Sequence, residues 1–187
     1  LVVGLVALVV ALGSAVLLPA TTASAQARPQ PTRTLETLLT DLVIPDLDRF
    51  WTMVARESGF SYTSPKVRLF KAGDFVVSPC GNEPVRGHMY CPINSTLFLD
   101  TSARSDVSFA RLWQQDRDFA VVLIVAHEWG HHIQQQLGLM RGSRSVKQVE
   151  LQADCLAGLY ARYGEKTGKM EPGDLEEGIA VSMESGD

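Results

Sequence analysis

The feature that most limits how this chain can fold is an apolar run, Phe119-Ala120-Val121-Val122-Leu123-Ile124-Val125-Ala126, that leads without a break into His127-Glu128-Trp129-Gly130-His131. The spacing predicts one helix from about Asp118 through Gln136, with Gly138 as its C-terminal cap. A helix with almost no polar face has to be buried, so the rest of the chain must be arranged around it. Residues four apart share a helix face, so His127 and His131 can aim one ring nitrogen each at the same ion. Glu128 lies about a third of a turn from His127, too far round to be a third ligand but within reach of a water bound to that ion. Such a carboxylate can take the proton of a metal-activated water as it attacks a carbonyl. Gly130 removes a side chain beside the two histidines and permits close approach by another element. The competing reading is a helix whose histidines are merely hydrogen-bonded in a core.

A catalytic zinc needs a third protein ligand and one open position. No histidine follows His132, which adjoins His131 and points elsewhere, so the ligand has to be a carboxylate from the next helix. That helix is expected from about Ser145 to Arg162, closed by Gly164. It offers Glu150 and Asp154 at i and i+4. The stretch between His131 and Glu150 is long enough for one helix to end and the next to return antiparallel. Glu150 is therefore expected to bind one zinc per chain with His127 and His131. Asp154 is expected to accept a hydrogen bond from the far nitrogen of His127, fixing its tautomer. The alternative for both carboxylates is a solvated face, which the apolar neighbours Val149, Leu151, Ala153, Leu156, Ala157, Leu159 and Tyr160 oppose. His132 is assigned to the helix surface or to a supporting place behind the ligands, and His88 and Trp129 to the core or a loop.

The segments AHEWGHHIQQQLG (126–138) and ELQADCLAGLYA (150–161) closely resemble the neutral zinc metallopeptidase family. Met89-Tyr90-Cys91-Pro92 and the following Thr96-Leu97-Phe98-Leu99-Asp100 are similar to a further stretch of that family. The resemblance implies a zincin-like α+β domain with a glutamate third ligand. It implies zinc held by His127, His131 and Glu150, catalysis by Glu128, and a peptide or protein substrate. Family members usually continue beyond the position equivalent to Asp187, so further substrate-cleft residues are expected outside this chain. No residue stands out as the one that would stabilise an oxyanion. An exported zinc-binding scaffold with little turnover, and hydrolysis of a non-peptide amide, are the competing functions.

The remaining sequence frames that centre. Leu1 to Ala20 carries no charge, Pro19 ends the run, and Ala23-Ser24-Ala25 follows as a small-x-small site, the pattern of a signal peptide over 1–25. An uncleaved membrane anchor is the alternative, since about twenty apolar residues can span a bilayer. Either places the domain outside the cytoplasm, with membrane association through the N-terminal segment in the second case. Residues 26–33 read as a Pro-containing linker and 34–187 as one domain. A net charge of −4 with no basic stripe argues against nucleic acid. Leu35, Leu38, Leu39 and Leu42 are spaced as a helix, Pro45 interrupts, and Leu47, Phe50, Trp51 and Val54 resume, which predicts a helix pair. Between 60 and 100, Val67–Phe70, Phe75–Val77 and Thr96–Leu99 read as strands of a small, mainly antiparallel sheet. Cys80 and Cys91 could close a disulfide in an oxidising compartment, whereas Cys155 is expected to be a buried packing residue.

Overall fold

The computed structural model describes residues 34–102, 108–140, 142 and 145–185; the leader-like segment 1–25 and the linker 26–33 lie outside the described residues. The chain enters helix α1 (Leu35–Leu38), whose N-cap Thr34 accepts a hydrogen bond from the Thr37 amide through its hydroxyl. Pro45 does not break this helix into a pair. The ladder widens to a π-helical segment, Leu39–Val43, and passes directly into α2 (Ile44–Ser58). The Ile44 amide reaches the Leu39 carbonyl, one residue beyond the α-helical partner, and Pro45 then sits in the first turn of α2, where a missing N–H is tolerated. Leu47, Phe50 and Trp51 are buried along α2, and Gly59 ends it at φ 74°.

Three strands follow: β1 (Lys66–Phe70), β2 (Met89–Cys91) and β3 (Thr96–Asp100). Their order is β1-β3-β2. The sheet is mixed rather than mainly antiparallel, because β1 pairs with β3 in parallel and β2 with β3 antiparallel. A parallel neighbour needs a long return connection, which the chain between Phe70 and Thr96 supplies. Phe75–Val77 belongs to that connection and is not a strand. Val76 is buried and its carbonyl accepts from the Val85 amide, while Phe75 and Val77 face solvent. A Cys80–Cys91 disulfide pins the connection to β2, with Cα atoms 5.7 Å apart.

The C-terminal half is helical: α3 (Phe109–Gln114), α4 (Asp118–Gln136), α5 (Val146–Lys166) and α6 (Asp174–Ser185). Helix α4 runs through the core, as its composition requires. Ala120, Val121, Val125, Trp129 and Ile133 cluster with Leu47 and Trp51 of α2, Leu97 and Leu99 of β3, Leu112 of α3, Ala157 and Tyr160 of α5, and Val181 of α6. Helix α5 continues past Gly164, which is buried against Met170, and turns only at Gly168, φ 68°. Its outer side is less covered than its composition suggests. Leu151, Leu159 and Cys155 are exposed, so Cys155 is a surface thiol and not a packing residue.

The tightest contact between α4 and α5 is at Gly130. A Cβ added there would lie 2.9 Å from the carbonyl oxygen of Ala153 and 3.2 Å from its Cα, both backbone atoms that cannot swing aside. Gly130→Ala is expected to force the two helices apart and to cost about 1–3 kcal/mol. Gly158→Ala, on the open side of α5 with nothing within 4 Å, is expected to stabilise by about 0.5–1 kcal/mol through helix propensity. Thermal denaturation of both variants checks this, and equal shifts would contradict the close approach.

Candidate metal centre

Two helix ends set the register of this centre. Helix α4 stops one to two turns past His131 in a Schellman motif. The Leu139 amide bonds the Gln134 carbonyl at 2.7 Å, the Gly138 amide bonds the Gln135 carbonyl at 3.0 Å, and Gly138 adopts φ 69°. Helix α5 starts shortly before Glu150 with a capping box, in which Ser145 and Gln148 satisfy each other's backbone amides through their side chains. Between these ends the helices pack at Gly130–Ala153, which brings His127 and His131 of α4 against Glu150 and Asp154 of α5.

The geometry is specific. Nε2 of His127 and Nε2 of His131 each lie 3.1 Å from the same Glu150 oxygen, Oε2. The imidazole planes are nearly perpendicular, 89°, with centroids 4.7 Å apart. Nδ1 of His127 is 2.8 Å from Oδ1 of Asp154, and Nδ1 of His131 is 2.8 Å from Oε1 of Gln134. Both acceptors oblige Nδ1 to carry the proton. Each neutral ring therefore presents a bare Nε2 lone pair, and both lone pairs face a carboxylate oxygen. Three acceptor atoms at such separations repel one another unless a cation or an extra proton lies among them.

A tetrahedral zinc with bonds of ~2.0–2.2 Å sets its ligand atoms about 3.3 Å apart, close to the spacing found here. The donor set of two imidazoles and one carboxylate also suits zinc, so these residues fit such an ion. The centre is not sealed. The side chains of Glu150 and Asp154 are 30% exposed, which leaves a solvent side for a further ligand. Burial disfavours a charged His127, but Glu128, Asp154 and Glu150 outweigh it and raise its pKa. Glu128 itself is 8% exposed, and its charge is felt at His127 without its carboxylate joining the three convergent atoms.

The other histidines have separate tasks. His132 is buried rather than on the helix surface. Its Nε2 donates to the Thr63 carbonyl at 2.7 Å, its Nδ1 lies 2.8 Å from the Tyr90 hydroxyl, and burial lowers its pKa. It thereby ties the C-terminal end of α4 to β2 and to the segment after α2. His88 stacks on Phe109 at 3.8 Å, accepts the Asp100 amide at Nδ1, and is pushed by burial to about 4. The residue that the sequence reading missed is Gln134. Its only signal is the spacing three positions after His131, which puts both on one helix face, since Gln135 and Gln136 beside it are polar as well.

The family model described as "Putative neutral zinc metallopeptidase" matches residues 1–187. Among curated proteins, "Uncharacterized protein YpfJ" of Escherichia coli K12 is 30% identical over 162 residues, covering 79% of this chain and 55% of that protein. "Uncharacterized protein Rv2575" of Mycobacterium tuberculosis is 34% identical over 145 residues, covering 67% of this chain and 48% of that protein. The chain thus spans about half the length of the curated relatives it matches. No solved structure matches it.

Purified chain dialysed against zinc is expected to keep about one ion, since three ligand atoms converge from two helices. His131→Ala should lose most of it, and Asp154→Asn should weaken binding about 10- to 100-fold. Binding needs neutral imidazoles, so loading should fall as pH drops. The raised His127 value makes protons compete at a higher pH than they would for a free histidine. Metal analysis after dialysis across pH 5–8 reads all three effects, and full loading of His131→Ala would refute the assignment.

Proposed function

The chain belongs to the neutral zinc metallopeptidase family, and from that premise we propose that it is a zinc-dependent peptidase hydrolysing a peptide or protein substrate at the α4–α5 centre. The observation that carries this reading is the convergence of His127 Nε2, His131 Nε2 and Glu150 Oε2, with both Nδ1 atoms already engaged. Zinc bound there would polarise a carbonyl and acidify water, which is the chemistry peptide hydrolysis needs. The protein's own residues divide the remaining work.

His127 and His131 each present one nitrogen in a fixed tautomer, so little reorganisation accompanies metal entry. Glu150 supplies the anionic ligand, and Asp154 raises the basicity of His127 by accepting its Nδ1–H. Glu128 takes the proton from the attacking water and can hand it to the leaving amine. Its position supports that role: Glu128 is buried and its charge acts on the ligand His127. A scaffold that merely binds zinc has no use for this side chain, which weighs against that alternative.

The reading includes a location outside the cytoplasm. It is supported by the Cys80–Cys91 disulfide and by the uncharged run of residues 1–20. None of the described helices is long and apolar enough to cross a membrane.

Glu128→Gln tests the proposal, because it keeps size and hydrogen bonding while removing the base. The variant should retain zinc and its melting temperature and lose about 10²-fold or more in turnover of a peptide library. Glu150→Gln should instead weaken zinc binding itself. The opposite pattern, with Glu128→Gln losing zinc and Glu150→Gln keeping it, would exchange the two roles; unchanged cleavage in both would end the hydrolytic reading.

A further inference from the structure

Gln134 is fully buried although it is uncharged, polar and part of no ligand set. A buried amide costs free energy unless its donors and acceptor are all used, and here they are. Nε2 donates to the Val149 carbonyl at 2.7 Å and lies 3.1 Å from Oε1 of Gln152. Both partners flank the start of the α5 segment that carries Glu150. With the NH2 group directed to two oxygens, the carbonyl end has one orientation left, and Oε1 meets Nδ1 of His131 at 2.8 Å. The amide therefore reads two things at once: the tautomer of His131 on α4 and the position of α5 beside it.

We propose that Gln134 is a positioning residue for the metal centre, locking His131 in the tautomer that offers Nε2 and setting that nitrogen at the right distance from Glu150. This rests on the zinc-binding reading above. It also explains an asymmetry in the centre. His127 has a charged partner, Asp154, whereas His131 has a neutral one, so the centre already holds the carboxylates of Glu128, Glu150 and Asp154 without adding a fourth. The link through Gln152 and the Val149 carbonyl places the constraint between the two helices and not within α4 alone. A packing role would ask only for volume; an orienting role asks for an acceptor at Oε1.

The test compares Gln134→Met, which keeps volume and removes the acceptor, with Gln134→Glu, which keeps an acceptor for Nδ1–H and gives up the donors. Zinc affinity of the full chain is measured by competition with a chromophoric chelator, alongside the melting temperature of the zinc-free protein. Gln134→Met is expected to bind zinc about 10- to 100-fold more weakly, the scale of lost orienting partners. Gln134→Glu is expected to recover affinity to within several-fold of the parent chain, even where its zinc-free melting temperature falls as far as that of Gln134→Met. Parent-like affinity in Gln134→Met would overturn the inference alone. Equal loss in both variants, tracking their melting temperatures, would reduce Gln134 to a packing residue and overturn it too. Absence of zinc binding in the parent chain would instead overturn the peptidase reading, and this inference with it.

Discussion

The approach of α4 to α5 at Gly130 and Ala153 is the constraint on which the rest depends. With a helix-to-backbone contact this close, a Cβ on α4 would strike the α5 carbonyl at 2.9 Å. Only that proximity lets a carboxylate from the second turn of α5 reach both histidines of α4. The apolar N-terminal half of α4 is fixed in the core by α2, β3 and α3, and its C-terminal half, still buried through Gln134, carries the polar groups of the centre. His132, Tyr90 and Thr63 anchor the C-terminal end of α4 to β2 and to the chain after α2. The Tyr160 hydroxyl, donating to Asp46 at 2.8 Å, ties α5 back to α2 on the other side.

The electrostatics follow from the packing. Three carboxylates, Glu128, Glu150 and Asp154, act on His127, and Glu150 also meets His131, in a partly desolvated space. The hydrogen bonds at both Nδ1 atoms turn the two Nε2 lone pairs inward, onto an oxygen that is itself an acceptor. Such an array is poor as a core, where buried polar groups need complementary partners, and good as a cation site. The raised pKa of His127 reports the same field, since a proton is the smallest cation that can relieve it.

Much of this was legible in the sequence because the informative features are local. An i, i+4 histidine pair after an apolar run, a glycine between them, and an i, i+4 carboxylate pair on the following helix are helical periodicities, and α4 and α5 carry them where the spacing places them. What the sequence hid depends on distant or compensating structure. Pro45 looked like a helix break, but a π-helical segment just before it absorbed the missing hydrogen bond. Phe75–Val77 had strand composition, yet only Val76 finds a core to enter. The parallel β1–β3 pairing was invisible because strand direction is set by the path of the connection, not by residue alternation. Cys155 and Leu159 lie on an apolar-looking helix whose outer face the described residues leave open. Gln134 carries no local signature because its role lies in three partners, two of them on another helix.

The account's central claim is that one ion is held by two imidazole nitrogens and one carboxylate oxygen. X-ray absorption at the zinc edge of the loaded protein reads this directly. The account predicts a shell of nitrogen and oxygen atoms at about 2.0–2.1 Å, with the outer-shell scattering of two imidazoles and no sulfur. A sulfur shell near 2.3 Å, or the outer-shell signature of a single imidazole, would contradict it.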